Sequence, residues 1–187
     1  YSYELLTRQE AQNMLDRLAE EHPKVVEELV PNLLPLGTIQ KVFQNLLKEQ
    51  IPIRDLVTIV EALGDHAVVT KAPDLLTEYV RGKLSRTISN LYKDEKGSLP
   101  VFVLDQKIEE TITQSVQHSD QGSFLALNPL TAQGIITQIN QKVKSMETDH
   151  YPILLCSNNV RRYIRALIER FIPKLVILAY NEIAENV

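Results

Sequence analysis

Cys156 and Ser157 are the residues best placed in sequence to do covalent chemistry. They end the apolar run "PILLC" and stand just ahead of a helix-like stretch that begins at Asn158. A thiol at a helix N-terminus feels the positive end of the backbone dipole, which favours the nucleophilic thiolate. Attack also needs a base, and no histidine is close in sequence; the glycines that flank a nucleophile-elbow serine are absent too. A small α/β hydrolase or transferase using Cys156 or Ser157 is one reading. A buried strand cysteine acting as a small apolar side chain is the simpler one. His22, His66, His118 and His150 are scattered, with no CxxC or HxxxH spacing, so they read as loop histidines near helix ends rather than metal ligands. The adjacent carboxylates Glu20-Glu21, Glu27-Glu28 and Glu109-Glu110 diverge on a helix surface and read as solvated. No strand-to-helix turn carries the glycines that would close backbone N–H groups around phosphate, so no nucleotide or other cofactor is expected.

The arginines suggest contact rather than catalysis. Arg161, Arg162 and Arg165 fall near the start of the last helix, whose apolar stripe uses Val160, Ile164, Leu167 and Ile168. Arg162, Arg165 and Glu169 are then expected to face outward, with Arg165 and Glu169 paired at i, i+4 for about 0.2–0.5 kcal/mol. Arginine early in a helix opposes the dipole and hints at a compensating partner. A solvated face is the plain reading, an acidic protein surface the sharper one. The stretch "LLKEQIPIRDL", residues 46 to 56, resembles a helix–turn–helix broken at Pro52. A DNA-reading second helix would present several Arg, Lys, Asn or Gln near its start; here Arg54 stands alone, with Asp55 and Glu61 adding negative charge. The net charge of -4 gives no general attraction for phosphate. The corner is expected to be helix packing with Arg54 and Asp55 as polar handles, and no nucleic-acid partner is expected.

These residues must be positioned by 187 residues that are 44% hydrophobic and 24% charged, an ordinary globular balance. One cysteine excludes an internal disulfide and suits a reducing compartment. No apolar run approaches the ~20 residues of a membrane helix. The opening Tyr1-Ser2-Tyr3 lacks a methionine, so the chain is expected to be a fragment of something longer.

Residues 6 to 92 read as a helical unit. Thr7-Arg8-Gln9-Glu10 spells a capping box, followed by Ala11, Met14, Leu15 and Leu18 at helical spacing. Residues 25 to 30 are expected to be a short apolar turn. Thr38 is expected to cap a helix with Ile39, Val42, Phe43, Leu46 and Leu47 on one face. Leu56, Ile59, Val60 and Leu63 form the next stripe, with Gly64 expected to close it in the left-handed conformation. Pro73 opens a long helix through Leu76, Val80, Leu84, Ile88 and Leu91. "KDEKGS", residues 93 to 98, is a boundary. Beyond it, "PVFVL", "FLAL", "PILLC" and "KLVILAY" are strand-length runs, three of them followed by capping residues: Asp105, Asn128 with Pro129, and Ser157-Asn158. Helical stripes intervene at Ile108, Ile112 and Val116, at Ile135, Ile136, Ile139, Val143 and Met146, and from Val160 through Phe171. The class is therefore mixed: an all-α subdomain, then a small α/β subdomain of pattern βαβαβαβ over residues 99 to 187.

"LLPLGTIQKVFQNLLKEQIPIRDLVTIVEALGD", "LTEYVRGKL" and "LLCSNNVRRYIRALIERFIPKLVILAYNEI" resemble the C-terminal cytoplasmic region of the FHIPEP family. These are the export-gate proteins of flagellar and virulence type III secretion, and the likeness is closer to the flagellar branch. The resemblance implies a non-enzymatic module: the third (helical) and fourth (α/β) of four cytoplasmic subdomains, on the cytoplasmic side of the bacterial inner membrane. The membrane half would lie outside this chain, which makes no direct membrane contact itself. It further implies assembly with other copies into a nine-membered ring that receives the export ATPase complex, its stalk protein and chaperone–substrate complexes. The resemblance also marks Arg54, Asp55 and Leu56 in "IPIRDL", and Arg161, Arg162 and Arg165 in "NNVRRYIR", as candidate protein-contact positions.

Overall fold

A computed structural model describes residues 3–119, 122–146 and 151–185. The chain divides into two compact units, Tyr1–Ile88 and Ser89–Val187.

In the first unit, the capping box sets the start of α1 (Arg8–Glu21). The Thr7 hydroxyl accepts from Glu10 N–H at 3.2 Å, and the Glu10 carboxylate accepts from Thr7 N–H at 2.7 Å. α1 buries Ala11, Leu15 and Leu18. The stretch expected as a turn is instead a short helix, α2 (Pro23–Leu29), opened by a proline whose fixed φ and missing N–H suit a first helical position. α3 (Leu36–Lys48) starts before Thr38, with Pro35 at its N-cap, and buries Ile39, Val42, Phe43 and Leu46. α4 (Leu56–Ala67) runs through Gly64, which is an ordinary helical position and not a cap. The single long helix expected after Pro73 is two, α5 (Pro73–Lys83) and α6 (Ser85–Tyr92). They part at Leu84, whose N–H is shared between Val80 O and Arg81 O, both at 3.0 Å. The apolar stripe continues across the break, with Leu84 and Ile88 buried.

The second unit contains a three-stranded parallel sheet in the order β1 (Phe102–Val103), β4 (Ile153–Cys156), β5 (Val176–Ala179). α7 (Gln106–Ser115), α8 (Pro129–Ser145) and α9 (Asn158–Ile168) accompany it. Asp105 and Asn128 cap α7 and α8, accepting from Lys107 N–H and Leu130 N–H at 2.8 Å each. The core gathers Leu104, Ile112, Ile139, Leu154, Ile164 and Ile177 with their neighbours. Burying each such side chain contributes about 1.5–3 kcal/mol.

The mixed helical and α/β class stands, with one change to the pattern of strands. The run "FLAL", residues 124–127, does not enter the parallel sheet; its first half ends a separate antiparallel hairpin of β2 (Val116–Ser119) and β3 (Gly122–Leu125). Val116, expected on the α7 stripe, begins β2. The reason lies in burial. β4 is buried at all four residues, as a central parallel strand must be, whereas β3 alternates exposed and half-buried and has one face in water.

Candidate functional site

The corner between α3 and α4 is built from backbone geometry upward. After Lys48 the chain reverses at Gln50, whose φ of 60° lies in the left-handed region. Gln50 and Ile51 N–H groups return to Leu47 O and Leu46 O, both at 2.9 Å, and Ile51 is buried. Pro52 and Ile53 then carry the chain out to Arg54 and Asp55, both exposed, while Leu56 is half-buried. Asp55 also serves the fold, because its carboxylate accepts from Thr58 N–H at 3.2 Å and caps α4.

Sequence patterning missed the polar contacts that join α3 to α5 where α3 ends. Arg81 on α5 places Nη1 3.1 Å from the Glu49 carboxylate at the C-cap of α3. Beside it, Asn45 donates to Thr77 Oγ at 3.1 Å, and Thr77 donates to Pro73 O at 2.7 Å. α3 and α5 are therefore joined by polar contacts, one of them at the residue that ends α3. The available signal was the position of Arg81 directly after Val80, beside the apolar stripe of α5.

The three arginines of α9 separate. Arg161 is 1% exposed, so the expectation that it offers a surface contact is corrected. Its Nη1 donates to Ile177 O at 3.3 Å, and its Nε lies 3.8 Å from Glu182, itself 1% exposed. The other Glu182 oxygen accepts from Ala179 N–H at 3.0 Å. The partner that offsets an arginine early in a helix is thus internal. Arg165, half-buried rather than fully outward, donates from Nη1 to Leu175 O at 3.4 Å and keeps Nε 3.8 Å from Glu169. Arg162, also half-buried, lies over the Tyr163 ring at 4.5 Å and donates to its hydroxyl at 2.6 Å. Arg54 and Asp55 are exposed and Arg162 is half-buried.

Cys156 is fully buried, with Sγ 3.7 Å from Leu178 O. Ser157 does not cap α9 with its own side chain. Its N–H and hydroxyl both donate to the Glu109 carboxylate, at 2.8 and 2.6 Å. Glu109, expected to be solvated, is instead the group at the start of α9, and it also lines a shallow hollow with Gln106, Glu110, Thr113 and Gln114. No histidine among the described residues completes a Ser–His–Glu relay there. His66 stacks on Tyr79 at 3.9 Å, His118 bonds Ser123 at 2.7 Å inside the hairpin, and His150 lies outside the described residues. Among the described residues, no group of His, Cys, Asp and Glu is arranged to hold a metal, and no helix is long and apolar enough to cross a membrane.

Fold and side-chain placement together define a helical unit followed by a small α/β unit, with charged side chains committed to corners and strand edges. The chain belongs to the FHIPEP family, whose model matches residues 1–187, in agreement with the resemblance carried by "IPIRDL" and the last helix. It is 39% identical to the flagellar biosynthesis protein FlhA of Bacillus subtilis (strain 168), over 100% of this chain and 28% of that protein. The chain therefore spans little more than a quarter of the length of that relative. Among solved structures it matches CdsV in the Chlamydia pneumoniae CdsV and CdsO complex, with a TM-score of 0.91 and 35% identity, over 100% of this chain and 55% of that one. It also matches the nonameric EPEC SctV-C, with a TM-score of 0.88 and 29% identity, over 100% and 56%. The family is one of export-gate proteins and not a known enzyme family.

Proposed function

We propose that this chain is a non-enzymatic docking and ring-forming module of a bacterial flagellar type III protein-export gate. The observation that carries the reading is the match of the whole of this chain to 56% of nonameric EPEC SctV-C, at a TM-score of 0.88. The identity to a flagellar FlhA protein over the whole chain supports the flagellar assignment. The complex of a similar chain with CdsO supports an export-associated partner, which we assign to the stalk protein of the export ATPase complex. Residues 6–92 and 99–187 act as the helical and α/β subdomains, on the cytoplasmic side of the inner membrane. The helical subdomain makes lateral contacts between copies, and the α/β subdomain faces the stalk protein and chaperone–substrate complexes. Ring formation by separate copies is weak, because attachment to a membrane-anchored remainder raises the local concentration. Arg54, Asp55 and Arg162 are the contact residues this reading selects.

The test is complementation. The Arg54→Ala change, placed in the full-length flagellar relative at the matching position, is expected to reduce export while the isolated chain melts as before. Normal export in that strain, together with failure of the chain to bind a purified stalk protein or a chaperone–substrate complex, removes the docking role.

A further inference from the structure

Among the described residues β5 lies at one edge of the parallel sheet, and Ile177, Leu178 and Ala179 on it are nonetheless buried. Val176 N–H donates to Pro152 O at 3.0 Å, so Val176, and by alternation Leu178, turn backbone groups toward β4. Leu175, Ile177 and Ala179 turn theirs outward. A row of outward N–H and C=O groups is a template for strand addition. The opposite edge, β1, has only two residues and is protected by its shortness. β5 is longer, and residues 175–179 carry no charge, no proline and no glycine, the composition that pairs with itself.

Side chains occupy that outward row. Arg165 Nη1 reaches Leu175 O at 3.4 Å, Arg161 Nη1 reaches Ile177 O at 3.3 Å, and the Glu182 carboxylate takes Ala179 N–H at 3.0 Å. The spacing has a simple origin. Four helical residues rise about 6 Å, and two strand residues about 6.6 Å. α9 runs back along β5, so the earlier arginine meets the later carbonyl. One helix face thereby serves a strand edge two carbonyls at a time.

We propose that Arg161 and Arg165 guard the β5 edge, keeping it from accepting the β5 strand of a second copy of this chain. Glu182 fixes Arg161 in place and closes the last outward N–H. Two of the arginines in "NNVRRYIR" are, on this view, devices against edge-to-edge association rather than contacts for a partner.

The experiment is sedimentation velocity on the whole chain over a wide concentration range, with circular dichroism to establish folding. Arg165→Met, and more so R161M/R165M, is expected to associate at least about tenfold more tightly than the unmodified chain. Arg170→Met loses the same charge at an exposed position just past the end of α9, and is expected to sediment as the unmodified chain does. Adding Val176→Lys to the Arg165→Met chain places a charge on the strand and is expected to reverse the association, which it would not do for clumping of unfolded chains. Folded Arg165→Met that sediments unchanged overturns the proposal, as does equal association by Arg170→Met. Should R161M/R165M lose its fold, Arg165→Met with its Val176→Lys partner decides the matter alone.

Discussion

Arg81 and Glu49 form an ion pair at 3.1 Å in which the arginine side chain is 2% exposed and the glutamate 16%. The asymmetry has a consequence for mutation. Removing Arg81 leaves a carboxylate that still reaches water, whereas removing the charge of Glu49 leaves a guanidinium largely cut off from solvent. Breaking a buried pair by taking one partner costs about 3–5 kcal/mol when the charge left behind is fully desolvated, and less when it is wet. Glu49→Gln is expected to destabilise the chain more than Arg81→Met does, as urea unfolding of the two variants would show. The reverse order would mean that Arg81 is held mainly by its other contacts.

At the exposed corner, Arg54 and Asp55 are expected to part company in stability. Asp55→Ala removes the cap of α4 and is expected to cost about 1 kcal/mol. Arg54→Ala removes no cap and is expected to stay within about 0.5 kcal/mol of the parent. Asp55→Ser removes the charge and keeps an N-cap acceptor, so it is expected to recover most of the lost melting temperature. Thermal melts of the three variants check the order, and export assays on the same set separate a contact from a cap.

Glu109 and Ser157 are expected to be coupled. The carboxylate receives two hydrogen bonds from one residue at the start of α9, and a bond to a charged group contributes about 1.5–3 kcal/mol. Glu109→Ala loses both acceptor contacts, while Ser157→Ala loses only the hydroxyl. A double-mutant cycle in urea is expected to give a coupling above about 0.5 kcal/mol, and an additive pair would show that solvent replaces the contact.

Cys156 is expected to behave as an interior apolar group. In the folded chain a thiol reagent is expected to label it only as fast as the second unit opens, and rapidly in denaturant. Cys156→Ser, placing a hydroxyl in the apolar interior where the thiol meets Leu178 O, is expected to cost about 1–3 kcal/mol. Fast labelling of the folded chain would instead mean that the thiol is within reach of solvent.

Ser89 tests the C-terminal fastening of the second unit. Its fully buried hydroxyl donates to Glu182 O at 3.0 Å and accepts from Ala184 N–H at 2.9 Å. Ser89→Ala leaves two backbone groups without that hydroxyl and is expected to cost about 1–3 kcal/mol. Hydrogen exchange at Ala184 is expected to quicken; unchanged protection there would assign the fastening to other contacts.

Much of the local structure was legible because it depends on neighbours in sequence. The Thr7–Glu10 box, Pro73 at a first helical turn, and the caps at Asp105 and Asn128 each need only three or four consecutive residues. Stripes such as Ile39, Val42, Phe43 and Leu46 announce a helix and its buried face together. Local pattern was less able to say which apolar run pairs with which. "FLAL" and "PILLC" look alike in sequence, yet one ends in a hairpin and the other lies at the centre of the parallel sheet. Gly64 shows the same limit: a glycine near the end of a stripe suits a cap, but burial of Ala67 one turn later carries α4 past it.

For this protein, the sequence by itself determined the mixed class and most of the helical stripes, since each follows from residue types at short, regular intervals, and the family through a likeness spread over much longer stretches. Only the tertiary structure decided the fate of the charges. Arg161 and Arg162 are adjacent and chemically identical, but one meets Glu182 and a strand carbonyl while the other lies over a tyrosine ring. The partners of Arg161 arrive from segments beyond the end of its own helix. The low-dielectric interior makes such a meeting strong where it occurs and an unmet charge too costly to bury.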